Sequence, residues 1–575
     1  MRSFALALSL LALVGTLLLA QEEAEAPDPA QWVEQTLDGM SLEQKVGQLI
    51  VGGSGTGYTS TASDEFERIR EEIERYQVGG YHAFRGDVYS AAFLIRRMQQ
   101  QAKIPLLITA DLEGGLGLII KGGTRFPKAM ALGAIGDPEA ARKVGRITAQ
   151  EARRVGIHVN FYPVVDVNNN PENPIINIRS FGEDPEAVGR MSAAYIQGVQ
   201  SQGLLATAKH FPGHGDTSTD SHLELPVIEA SLQRLRQVEL VPFLSSIEAG
   251  VAAIMTAHLA VPALEPDTSL PATLSHRIIS GLLREEMGFE GLIFTDAMNM
   301  RGVANHFSDG EAGVRAVEAG ADLILFPRSV RKTHLGLLQA VRSGRLSLQR
   351  IERSVRRILQ AKARLGLDRY SPPDLDRIDE YVGSKENQEI AQQIMESALT
   401  VVRDERKALP LRPGRNSTLL VLTLLDNRRR HEDRGLALYR TLRDHHRRTI
   451  HFEIGPDATS NEVRLALALA RRVGAIVVGG YIRVAALKGS VDLSDNQIRL
   501  LEGLSELDRP FAFVLFGSPY LLPFVPDLPS YVLAYDDHPG AEKAAARLVL
   551  GRVPSRGKLP VSLPDLYPLG HGLNR

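Results

Sequence analysis

The sequence predicts an α/β protein: a (β/α)8 TIM-like barrel followed by a smaller α/β sandwich domain. Three observations carry this. Eight short apolar runs alternate with amphipathic helical patterns between Gln48 and Gly366. Six more apolar runs follow a break rich in proline and aspartate. Charged and imidazole side chains gather just after the first set of runs, at the strand ends where a parallel barrel places its chemistry.

The eight runs are Leu49–Val51, Val78–Ala83, Ile104–Ala110, Ile157–Val167, Leu204–His210, Val251–Ala257, Leu292–Thr295 and Leu323–Phe326. Between them lie helical stretches such as Asp64–Arg75, Pro138–Val155 and Leu232–Ala249. Repeated strand–helix units argue for a parallel sheet. A doubly wound sheet is the competing arrangement. It needs a glycine-rich phosphate turn after an early strand, and Gly114-Gly115 lacks the rest of that fingerprint. The barrel is expected over residues 27–366 and a linker over 367–397, centred on the Pro372-Pro373 stretch. The sandwich follows over 398–575, with strands at Thr400–Val402, Leu419–Leu424, Ile450–Ile454, Ala475–Val478, Phe511–Phe516 and Tyr531–Ala534.

Residues 1–26 read as a signal peptide or an N-terminal anchor. Arg2 precedes an apolar stretch from Phe4 to Ala20, and Glu22, Glu23 and Glu25 follow. The protein is therefore expected to be exported, periplasmic or extracellular, with no stable membrane insertion once the segment is cleaved. The 66 basic and 68 acidic residues give a net charge of −2, so there is no electrostatic case for nucleic acid. The absence of cysteine excludes disulfides, thiolate metal sites, cysteine nucleophiles and lipoprotein attachment.

The richest segment runs Lys209-His210-Phe211-Pro212-Gly213-His214-Gly215-Asp216-Thr217-Ser218-Thr219-Asp220-Ser221-His222. Pro212, Gly213 and Gly215 rule out a helix, so these polar groups converge by loop folding. Asp220 and His222 are two apart, and an extended loop points both the same way. Asp220 then accepts a hydrogen bond from the His222 ring and favours its imidazolium, suiting His222 to give and take one proton. The plain alternative is a satisfied surface histidine. A metal site on His210, His214, Asp216 and His222 is a minor reading, because four-residue spacing serves a metal on a helix.

Asp296 lies at the end of an apolar run, in Phe294-Thr295-Asp296-Ala297. A carboxylate there is costly unless paired or functional. It either caps the next helix or acts as a nucleophile toward a sugar's anomeric carbon. Asp111 and Glu113 follow the third run, Asp166 ends the fourth, and Lys209 and His210 close the fifth. Arg179, in Arg179-Ser180-Phe181-Gly182-Glu183-Asp184-Pro185, either pairs with Glu183 or a neighbouring helix, or donates paired hydrogen bonds to a ligand.

These motifs resemble glycoside hydrolase family 3, and within it the two-domain exported β-N-acetylglucosaminidases. The carriers are the Lys209–His222 loop, Thr295-Asp296-Ala297, Asp111-Leu112-Glu113-Gly114-Gly115 and the Arg179–Pro185 segment. The resemblance implies Asp296 as nucleophile, His222 as acid/base and Asp220 as its partner. It implies Asp111, Arg179, Lys209 and His210 as residues holding the terminal sugar. It implies retention of configuration, no metal and no cofactor. The substrate implied is a glycan ending in N-acetylglucosamine, such as a peptidoglycan fragment or chito-oligosaccharide. The chain departs from the family after Gly115, reading Leu116-Gly117-Leu118-Ile119-Ile120 where many members have arginines; Lys121 or Arg125 is the candidate replacement. A single tryptophan argues against a long stacking platform and for a short, exo-acting pocket. Competing readings are a β-glucosidase or β-xylosidase, an N-acetylglucosaminide phosphorylase, and a non-catalytic wall-glycan binder.

Overall fold

The computed structural model describes residues 28–221, 224–426, 433–482 and 493–575. The expected signal segment and His222 lie outside the described residues.

The first sheet joins β1 (Ile50–Thr56), β2 (Gly80–Asp87), β3 (Leu107–Ala110), the short β4 (Ile120–Lys121), β5 (Val159–Asn160), β6 (Leu205–Phe211), β7 (Ala253–Thr256), β8 (Leu292–Phe294) and β9 (Ile324–Leu325). Its order is β8-β7-β6-β5-β3-β2-β1-β9, with β4 appended to β2. A parallel bridge between Phe294 and Leu323 brings the two edges together, so eight strands form the barrel. Each expected apolar run overlaps one of them. Both faces of these strands are covered, which is why they read as continuous apolar runs rather than alternating ones.

The helices form for local reasons. In Pro138–Val155, Asp137 caps Glu139 N, Pro138 sits where no N–H is needed, and Gly156 ends the helix at φ 95°. Val144, Ile147, Ala152 and Val155 make its buried stripe, and full burial of a valine or isoleucine side chain contributes about 1.5–3 kcal/mol. The single amphipathic stretch expected over Leu232–Ala249 is instead two helices, Leu232–Gln237 and Val241–Glu248. Pro242 explains the break: it lacks an N–H and its ring clashes with the turn before it, so it starts a helix rather than continuing one.

The second sheet contains β10 (Thr400–Asp404), β11 (Leu419–Leu425), β12 (Thr449–Ile454), β13 (Ala475–Ile482), β14 (Phe511–Gly517) and β15 (Ser530–Leu533). Its order is β10-β15-β14-β13-β11-β12, parallel except for β10 against β15. The segment expected as a linker, 367–397, is not all linker. It contains the helix Lys385–Ala398, which buries Ala391, Ile394, Met395 and Ala398 on one face. That helical periodicity places it in the packed structure.

The two domains share a core. Met130, Ala131, Ala134 and Ile178 of the barrel domain pack into the cluster that includes Leu420, Phe513 and Tyr531. Hydrogen bonds cross the junction from Lys558 N to Ala134 O at 2.9 Å and from Ser562 N to Glu183 Oε2 at 2.8 Å.

Candidate active site

The C-terminal ends of the barrel strands enclose a cavity of about 600 Å³. Asp111, Arg179, Lys209, His210 and Asp296 all line it, on segments scattered from β3 to β8. Asp220 is buried outside the lining, and its neighbour Ser221 lies on the wall.

Two linked charge clusters form its floor. Lys209 Nζ lies 2.6 Å from Asp111 Oδ1 and 3.0 Å from Glu113 Oε1. Arg179 grips Glu113 with both arms of its guanidinium, Nε at 3.0 Å and Nη2 at 2.8 Å. Of the two partners weighed for Arg179, Glu183 is excluded: its carboxylate instead takes Ser562 of the second domain. Burial pushes the Glu113 carboxyl up, but Arg179, Lys209 and Lys128 outweigh it and hold it well below the usual carboxylate range. Burial likewise pulls Lys209 down, and Asp111 with Glu113 raises it on balance. Both stay charged at neutral pH.

Asp166 organises the histidine loop. Its carboxylate, fully buried, accepts His210 Nδ1–H at 2.7 Å and the amide of His214 at 2.7 Å. The His210 Nε2 therefore faces Arg179, 3.5 Å away. The His214 ring is spent inside the loop, 3.0 Å from Thr217 Oγ1 and 2.9 Å from Ser221 Oγ. Burial takes its pKa down to about 4, so it is neutral. Two glycines make the loop possible. Gly213 has φ 126°, and a Cβ on Gly215 would stand 1.7 Å from Val167 O.

Asp296 projects half-buried from the end of β8, with Ala297 N donating to its Oδ1 at 2.7 Å. His258, just past β7, lies with Nε2 3.1 Å from the Ala297 carbonyl; a carbonyl only accepts, so that nitrogen carries the proton and steadies the turn after the carboxylate.

Neither Lys121 nor Arg125 reaches the cavity. Lys121 is exposed, and Arg125 pairs with Asp536 at 3.4 Å. Leu118 and Ile119 line the wall instead, and Arg85 and Lys128 are further cations of the lining. Sequence reasoning missed Lys128, which lies beyond the motif in an unremarkable loop. It also missed His82, inside β2, whose Nε2 lies 3.4 Å from Asp111 Oδ2. His82 stands next to last in the expected apolar run Val78–Ala83, the kind of position that picked out Lys209, although the strand itself runs on to Asp87. Among the described residues no three His, Asp or Glu side chains are grouped to hold a metal ion.

Fixed charge pairs able to grip hydroxyls and a half-buried carboxylate, lining one cavity at the mouth of a barrel, fit acetal cleavage, the work of a glycoside hydrolase. The chain belongs to glycoside hydrolase family 3. Its residues 41–361 match the Glycosyl hydrolase family 3 N terminal domain. It is 32% identical over 405 residues to a Beta-N-acetylglucosaminidase/beta-glucosidase from Cellulomonas fimi, covering 69% of this chain and 71% of that one. A solved β-N-acetylglucosaminidase of the family from Paenibacillus sp. strain FPU-7 superposes with a TM-score of 0.82 at 35% identity, over 91% of this chain and 99% of that one. A beta-glucoside phosphorylase superposes at 0.83 with 27% identity, over 93% and 96%.

Proposed function

We propose that the protein is a retaining, exo-acting β-N-acetylglucosaminidase, exported, acting on peptidoglycan fragments or chito-oligosaccharides. The observation that carries the reading is Asp296, with Ala297 N donating to it at 2.7 Å, on the wall of the same cavity that the Asp111–Lys209 pair lines. In this reading the terminal sugar is gripped by Asp111, Lys209, Arg179 and His210, each hydrogen bond to a charged group being worth about 1.5–3 kcal/mol. Asp296 attacks the anomeric carbon while His222 protonates the departing oxygen, with Asp220 orienting its ring. A water that gives its proton back to His222 then releases the sugar from Asp296, restoring the original configuration. Support for the N-acetylglucosamine preference comes from the names of the Cellulomonas fimi and Paenibacillus relatives.

The test is trapping. A 5-fluoro N-acetylglucosaminide with a good leaving group slows release of the intermediate, and peptide mass mapping then locates the adduct. The adduct is expected on the peptide bearing Asp296; attachment elsewhere, or turnover without a covalent adduct, overturns the reading. The structural likeness to a beta-glucoside phosphorylase supports a second reading, phosphorolysis, because a neutral histidine base does not repel phosphate as a carboxylate does. Product analysis separates the two: hydrolysis yields free sugar with or without phosphate, and phosphorolysis yields the sugar 1-phosphate. Parallel rates on aryl N-acetylglucosaminide and aryl glucoside test the preference for the acetamido sugar.

A further inference from the structure

The loop from β3 to the helix Ala129–Ile135 carries Glu113 near one end and Lys128 at the other. It is held from both sides. On the barrel side, the buried carboxylate of Glu151 accepts Thr124 N–H at 2.8 Å and Thr124 Oγ1–H at 2.6 Å. On the other side stands Asp536 of the second domain, 1% exposed. It accepts the backbone N–H of Lys128 at 3.1 Å and pairs with Arg125 at 3.4 Å. Asp536 is fixed in turn by His538 N at 2.8 Å, and its neighbour Asp537 by Arg434 at 2.6 Å.

This grip puts the Lys128 side chain on the cavity wall, its Nζ 3.8 Å from Glu113 Oε2. That is beyond a hydrogen bond. Glu113 already receives Arg179 at 2.8 Å and Lys209 at 3.0 Å. Among the described residues, Lys128 Nζ has no acceptor within hydrogen-bond distance, so its donors remain for a ligand in the cavity.

We propose that Asp536 is a positioning residue of the active site, through which the second domain holds Lys128 so that its ammonium donates to an oxygen of the bound glycoside. The surroundings agree with this. Burial pulls Lys128 down, Glu113 and Asp536 oppose it, and Arg125 and Arg179 add to the downward pull. Replacing Asp536 by a neutral residue removes one of the two carboxylates that keep Lys128 charged, so the ammonium is lost at lower pH.

The test uses the full chain and an aryl N-acetylglucosaminide, and turnover by the wild type is scored first; failure there counts against the proposed function and not against this inference. Asp536→Asn keeps an acceptor for Lys128 N–H and loses the charge. It is expected to raise KM about tenfold with a smaller effect on kcat, and to move the alkaline limb of kcat/KM down by about one pH unit. Lys128→Met is expected to raise KM as much, and the double variant to be no worse than Lys128→Met, since both act through one group. In a Lys128→Arg background, where the cation does not titrate, Asp536→Asn is expected to leave the alkaline limb in place. Multiplying losses in the double variant, or a limb shift that persists with arginine, overturns the proposal. Thermal unfolding checks that Asp536→Asn folds. If it does not, Lys128→Met decides alone: a wild-type KM overturns the proposal and a tenfold rise supports it.

Discussion

One carboxylate, Asp166, holds His210 by both its ring and its backbone: His210 Nδ1 is 2.7 Å from Oδ2, and the His210 amide is 3.2 Å from the same oxygen. The two residues are 44 positions apart, and Asp166 also takes the amide of His214 at 2.7 Å. Burial raises its carboxyl, but His210, His214 and the amide donors leave it below its usual value. The histidine loop therefore depends on a single buried anion.

Removing that anion is expected to be severe. Asp166→Ala leaves three donors unpaired in a site closed to water, a loss of about 3–5 kcal/mol. Asp166→Asn, which keeps one acceptor but turns an NH2 toward the same donors, is expected to lose about half as much. Urea unfolding of both variants measures this. Wild-type midpoints would show that the loop is held by its own turns instead.

Asp296→Ala is expected to lower turnover by several powers of ten, because no covalent intermediate forms. The fold is expected to survive, since the side chain is only half-buried at the end of β8. Retention of a tenth of wild-type activity would remove Asp296 from the role of nucleophile.

His222→Ala is expected to harm poor leaving groups far more than good ones. A departing sugar hydroxyl needs a proton; a nitrophenolate needs little. Asp220→Ala is expected to show a milder form of the same pattern. The comparison is kcat/KM for a nitrophenyl glycoside against a disaccharide. Equal losses on both substrates mean that the proton comes from another group.

Stability is expected to fall on acidification below about pH 6.5. Burial holds His214 down to about 4, so the folded state keeps it neutral while the unfolded chain takes a proton near 6.5. The lowered folded value makes the contribution complete above the unfolded pKa and lost as pH falls toward 4, a change of about 3 kcal/mol. His538, also lowered to about 4, adds in the same direction. Melting temperatures between pH 7 and pH 4.5 check this, and a His214→Gln variant is expected to flatten the slope.

Much of the architecture was legible along the chain. Every expected barrel and sandwich run overlaps a strand, and a strand buried on both faces, such as Leu419–Leu425, writes itself as a local apolar run. The failures were also physical. Pro242 broke a helix whose periodicity ran through it, and the helix Lys385–Ala398 lay hidden beside a proline-rich stretch that read as linker.

For the site, sequence alone determined which residues stand at strand ends: Asp111, Lys209, His210 and Asp296 are placed there by local patterning, whatever the loops do. Tertiary structure alone decided their partners. Arg179 finds Glu113 from 66 positions away, and Lys128 is held by Asp536 from 408 positions away. The reason is that periodicity is a property of neighbours along the chain. A charge pair forms where packing buries two side chains together and the cost of desolvation is met only by each other, and no short stretch of sequence records that meeting.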